Sequence, residues 1–108
     1  MATVKDILAR TVEILETDGW CQGLYTDPST GAHCLLSALN KAFSELPYGP
    51  CDALKARTET ITAIRQLIST PSIMLWNDVS GRTKQEVLGL LERAQAILTK
   101  PSDAIPEV

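Results

Sequence analysis

Apolar residues recur at helical spacing in four stretches of the chain. Val4, Ile7, Leu8, Val12, Ile14 and Leu15 predict a first helix over about 3–17, opened by a Thr3/Asp6 capping box and closed at Gly19. The second stretch, about 32–45, is apolar around most of its circumference: Ala32, Cys34, Leu35, Leu36, Ala38, Leu39, Ala42 and Phe43 leave only a narrow stripe of His33, Ser37, Asn40, Lys41 and Ser44. A helix so apolar is expected at the centre, with the others packed around it. Pro47-Tyr48-Gly49-Pro50 ends it.

A third helix is expected over about 51–69, with Leu54, Ile61, Ile64, Leu67 and Ile68 inward and Lys55, Arg57, Glu59 and Arg65 facing water. Thr70-Pro71 stops it, because the residue before proline is steered from helical angles. Thr83 and Glu86 form a second capping box, opening a last helix over about 83–99 that turns Val87, Leu88, Leu91, Ala94 and Leu98 inward. Two connections break the pattern. In the first, around 20–31, Leu24-Tyr25-Thr26 reads as a short strand or an extended loop, and Asp27-Pro28-Ser29-Thr30-Gly31 is a dense turn signal. In the second, around 72–82, Ser72 to Asp78 is either one helical turn or an extended piece carrying Met74 and Trp76 into the core. The expected fold is mainly α: a compact four-helix domain over 1–100, with room for one short hairpin and a loosely held tail over 101–108.

Composition narrows the function classes. The chain has 108 residues, enough for one cored domain, and a formal net charge of −3, so it is a small acidic protein whose ten Lys and Arg lie scattered. That weighs against nucleic acid as a partner, since phosphate binding needs clustered cations. No apolar run approaches a membrane span, and the N-terminus lacks the basic and apolar regions of a signal peptide. Three cysteines cannot all pair within one chain; together with the missing signal peptide this predicts a cytoplasmic location.

Candidate chemistry is sparse. Cys21, His33 and Asn77 or Asp78 have the residue types of a cysteine nucleophile, a base and an orienting group, but no hydrolase signature surrounds either Cys21 or Cys34, and buried cysteine is commonly inert. No catalytic residue is assigned. No metal or cofactor is expected, because the cysteines lie far apart and His33 abuts Cys34 on a helix. Trp20, Gln22, Trp76, Asn77 and Asp78 could converge as polar groups on an aromatic floor, which suits a small-molecule or nucleotide site. The favoured reading is that they tie the two connections to the core through backbone bonds, since buried polar groups usually satisfy backbone. Gly81-Arg82-Thr83 before a helix is a weak anion seat. The stripe of His33, Ser37, Asn40, Lys41 and Ser44 is most simply the solvated edge of its helix; alternatively Tyr25, His33, Asn40 and Lys41 face a protein partner or a second copy, a role that a face poor in charge suits.

Trp20-Cys21-Gln22-Gly23, the segment Cys34-Leu35-Leu36-Ser37-Ala38-Leu39, and Ile73-Met74-Leu75-Trp76-Asn77-Asp78 with Gly81-Arg82-Thr83 and Glu86-Val87-Leu88 together resemble an uncharacterised family of small domains from actinobacteria and their phages. The likeness covers roughly 4–98, and its pattern of Trp-x-Gln-Gly, Cys and Trp-Asn-Asp matches at Trp20, Gln22, Gly23, Cys34, Trp76, Asn77 and Asp78. Ser37 stands where the pattern has glycine or another small residue, and the loop before Cys34 is short. The resemblance implies no activity. With no catalytic constellation in the chain, it implies a non-enzymatic interaction protein, such as a phage or prophage accessory factor that binds a host protein or itself.

Overall fold

The helical periodicity sorts the chain into five helices in the computed structural model, which describes residues 4–45, 52–70 and 72–98. They are α1 (Val4–Asp18), α2 (Leu35–Glu45), α3 (Asp52–Arg65), the single turn α4 (Ile73–Asn77) and α5 (Lys84–Leu98). The Thr3 cap, the turn over 46–50, Cys51, Pro71, the tail after 98 and the side chains of Leu54 and Leu98 lie outside the described residues.

Local chemistry sets several ends where the pattern placed them. Gly19 closes α1 with φ +99 while its amide bonds the Leu15 carbonyl at 3.0 Å. A side chain there would be strained, and its Cβ would meet that of Ala32 at 3.4 Å. Before α5 the capping box closes reciprocally: the Thr83 amide donates to Glu86 Oε1 at 2.9 Å and the Glu86 amide to Thr83 Oγ1 at 3.2 Å. Ser72 caps α4 by accepting from the Leu75 amide.

Tertiary contacts moved other boundaries. α2 begins at Leu35, not near 32, because Ala32, His33 and Cys34 bond to the preceding loop. The His33 amide donates to Gly19, the Cys21 amide to His33 and the Cys34 amide to Tyr25, each at 3.0 Å. The hairpin reduces to isolated bridges of His33 with Trp20 and with Thr26; among the described residues no strand forms. α3 stops at Arg65, so Leu67 and Ile68 pack from the following turn. Among the described residues its buried face is Ala56, Thr60 and Ala63, small residues that let the helix approach closely, together with the large Ile64, while Ile61 is only partly buried. Thr60 makes that burial tolerable by donating its hydroxyl to the Ala56 carbonyl at 2.7 Å.

The core joins Ile7, Leu8, Ile14 and Leu15 of α1 to Leu35, Ala38, Leu39 and Ala42 of α2 and to Val87, Leu90, Leu91 and Ala94 of α5. The central element is α1 and not the more apolar α2: α1 packs against α2, α5 and α3, whereas the main contacts of α2 are with α1 and α4. Part of the apolar circumference of α2 is covered by the irregular connections instead of by helices. In α4, Ile73, Trp76 and Asn77 turn inward, and Met74, expected in the core, is 40% exposed.

Candidate functional site

The two connections meet at one side chain. Asn77 is fully buried at the end of α4. Its Oδ1 accepts from the Trp20 indole nitrogen at 2.6 Å and from the Leu35 amide at 3.0 Å. Its Nδ2 donates to the Cys21 carbonyl at 3.1 Å and to Asp78 Oδ1 at 2.9 Å. A carboxamide offers two donors and two acceptor lone pairs, so every one is used. Since Leu35 opens α2, Asn77 also satisfies one of the amides a helix start leaves unpaired.

Flanking residues extend the junction. Gln22 Nε2 donates to the Asn77 and Val79 carbonyls, both at 2.9 Å, and the Gly23 amide donates to Asp78 Oδ1 at 3.1 Å. Arg82 lies 3.8 Å over the Trp76 ring and donates from Nε to the Trp76 carbonyl at 3.0 Å. The structure therefore brings Trp20, Gln22, Asn77 and Asp78 together as the sequence suggested. The Trp20 indole nitrogen, the Gln22 amide nitrogen and all of the Asn77 carboxamide are bonded to one another or to backbone, Asp78 accepts through Oδ1, and Trp76 is covered by Arg82. Nor do the amides after Gly81 form an open anion seat, because that of Arg82 donates to the Val79 carbonyl and that of Thr83 to Glu86.

A second cluster joins His33, Ser37 and Lys41 of the polar stripe to Asp18 and Thr26. Lys41 Nζ and His33 Nε2 each lie 2.9 Å from Asp18 Oδ2, and His33 Nδ1 lies 2.9 Å from Ser37 Oγ, which is 2.8 Å from Thr26 Oγ1. A carboxylate can only accept, so Nε2 carries a proton; a neutral ring then accepts at Nδ1 from Ser37, and Ser37 accepts from Thr26. The order Asp18, His33, Ser37 superficially suits a nucleophile relay. However, Ser37 is 4% exposed and held by both neighbours in the first turn of α2, so the chain of bonds acts as a clasp between α1, the loop and α2. His33, expected at the surface, is 8% exposed for the same reason. Of the remaining surface candidates, Tyr25 is exposed and Asn40 and Lys41 are half-buried.

The hydrogen bonds to Lys41 and, next, to His33 hold the Asp18 carboxyl below its ordinary range. A depressed value means that the contribution is present above the ordinary carboxylate range and is lost as pH falls through the folded value. Asp18→Asn should accordingly cost about 1 kcal/mol at neutral pH, since the group is partly exposed. The difference from the unaltered chain should vanish at strongly acidic pH, as urea titrations at both ends would register.

Neither described thiol is activated. Burial pushes Cys21 and Cys34 up, away from the thiolate, and both ring nitrogens of His33 are engaged elsewhere. Cys34 instead helps hold the start of α2, where its sulfur accepts the Ser37 amide at 3.4 Å, in the manner of an N-cap oxygen. Among the described residues, no group of three or more His, Cys, Asp and Glu is placed to hold a metal, and no helix is long and apolar enough to cross a membrane.

Comparison with curated proteins and with solved structures finds no match. A family model does match, over residues 1–97, nearly the whole described chain. The chain thus belongs to the Family of unknown function (DUF6197).

Proposed function

We propose that this protein is a small non-enzymatic interaction module whose contact face is the outer side of the two pinned connections. The observation that carries the reading is exposed apolar surface on a rigid support. Leu75 is 64% exposed, Leu24 51%, Val79 47% and Tyr25 45%, and they flank the junction in which every hydrogen-bonding group of Asn77 is satisfied. Isolated apolar residues on a surface mean little, but several large ones around a fixed junction favour a docking role. Tyr25 is also held in place: its hydroxyl accepts from Asn40 Nδ2 at 2.6 Å, and Asn40 Oδ1 accepts from Arg57 at 2.6 Å. An aromatic side chain fixed before binding loses little freedom on association.

The partner is a host protein or a second copy of the chain, and an accessory factor of a phage or prophage fits both the small size and the family resemblance. A small-molecule or nucleotide site between Trp20-Gln22 and Trp76-Asp78 has less support, because the indole nitrogen of Trp20, the amide nitrogen of Gln22 and the whole Asn77 carboxamide are already bonded.

Leu75→Glu combined with Val79→Glu should leave the unfolding midpoint within about 0.5 kcal/mol of the parent, since exposed positions contribute little. The same pair should abolish partner recovery in quantitative affinity capture, or self-association in light scattering. Unchanged recovery and unchanged mass would remove this face from consideration.

A further inference from the structure

We infer that the groove between α2, α3 and α4 receives an acidic amphipathic helix of a partner protein, an inference that rests on the interaction reading above. A cavity of about 630 Å³ opens there, floored by Leu36, Ile61, Ile73 and Met74. Among the described residues, the charged side chains in its lining are Arg57 and Arg65, both cationic although the chain as a whole carries −3. Three hydroxyl side chains complete the wall. Arg57 is aimed by Asn40 and by the Phe43 ring, 4.9 Å from its guanidinium. Arg65, among the described residues, has neither an ion pair nor a side-chain hydrogen bond, and it is exposed.

Spacing selects the occupant. Arg57, Ile61 and Arg65 stand one helical turn apart, so the two cations begin about 12 Å from each other along α3. A single carboxylate or phosphate meets one of them only. Two acidic residues seven or eight apart on a helix have the matching separation, with the apolar residues between them set on Ile61 and Met74. A helix is a fitting backbone because it satisfies its own amides, whereas an added β-strand needs a sheet edge and the described residues contain no strand.

The test is a selection on the purified full chain from a library of helix-scaffolded peptides with one randomised face. Enriched sequences should carry Asp or Glu pairs spaced by seven or eight with apolar residues between, and their binding should weaken with added salt. R57E with R65E should reduce that binding by about tenfold or more, and replacing the peptide's acids by lysine should restore it on the doubly substituted protein. Both positions are exposed, and R65Q serves as a milder variant with the same expected direction.

Failure to enrich any peptide, enrichment without the acidic pair, or equal binding to the charge-reversed protein would each overturn the inference. So would an Arg65-dependent thermal shift with citrate in the absence of peptide enrichment, which would reassign the groove to small anions. The peptide experiment uses no cellular partner, so it is separable from the broader reading. A captured partner that is lost with the Leu75/Val79 changes but indifferent to R57E with R65E would leave the interaction module standing and this groove without its role.

Discussion

Asn77→Ala should be the most damaging single substitution on the polar side of the fold, lowering unfolding free energy by about 3–4 kcal/mol. The side chain is fully buried and makes four hydrogen bonds, one to the adjacent Asp78 and three to Trp20, Cys21 and Leu35, 42 to 57 residues away in the chain. Removing it leaves the Leu35 amide and the Trp20 indole without an acceptor, and each buried unsatisfied group costs about 1–3 kcal/mol. A water molecule entering the vacated space would recover part of this, which sets the figure below the full sum. For a domain of this size the loss corresponds to a fall of about 15 °C or more in Tm.

Asn77→Asp separates the donor role from the acceptor role. The acceptor atom for Trp20 and Leu35 is kept, but a carboxylate oxygen then faces the Cys21 carbonyl and the Asp78 carboxylate. Like charges so close raise the folded-state pKa, and a raised carboxyl value means that the penalty shrinks as pH falls and a proton bridges the pair. Urea midpoints for N77D should therefore approach the parent on acidification, while those for N77A should not. Equal, pH-independent losses would overturn the charge-repulsion account, because Asp keeps both the volume of Asn and its acceptor oxygen. A double-mutant cycle with Trp20→Phe would isolate the indole contribution.

Leu8→Ala should cost about 3 kcal/mol, within the usual range for a buried leucine. Leu8 is fully buried on α1, the helix that packs against three others. Neighbours held from several sides relax poorly into a cavity, which keeps the cost above the bottom of that range. Val12, only partly buried on the same helix, should cost about 1 kcal/mol when cut to Ala, since less transfer energy and little cavity are involved. Denaturant titrations of the two variants test whether α1 is the hub. If Leu39→Ala on α2 proved far more costly than Leu8→Ala, the centre would lie on α2 after all.

The contrast between the capping box at Thr83 and the N-terminus of α2 shows where legibility stops. Thr83 and Glu86 satisfy each other within four residues, so their pattern is readable along the chain. The start of α2 is held instead by the sulfur of Cys34 and by Asn77, which lies 42 residues beyond the Leu35 amide it accepts. Nothing local announces that arrangement. Likewise, the narrow polar stripe on α2 is correct as a periodicity, but its reading as solvated fails at His33 and Ser37. Asp18, Lys41 and Thr26 reach them from other parts of the chain and satisfy the polar groups that burial would otherwise leave unpaired.

The helical class, the stop at Gly19, the last helix and the grouping of Trp20, Gln22, Asn77 and Asp78 as residues of interest are all legible along the chain. These follow from periodicity, from glycine's tolerance of positive φ and from side-chain chemistry acting within a turn or two. The assembled fold adds that α1 is the hub, that α3 buries Ala56, Thr60 and Ala63 beside Ile64, that the Asn77 carboxamide is fully bonded inside the Trp20–Asp78 cluster, and that Arg57 and Arg65 flank one apolar groove. Each of these depends on which elements meet in space. Hydrogen-bond satisfaction and packing across tens of residues are properties of the assembled chain, and local pattern carries no record of them.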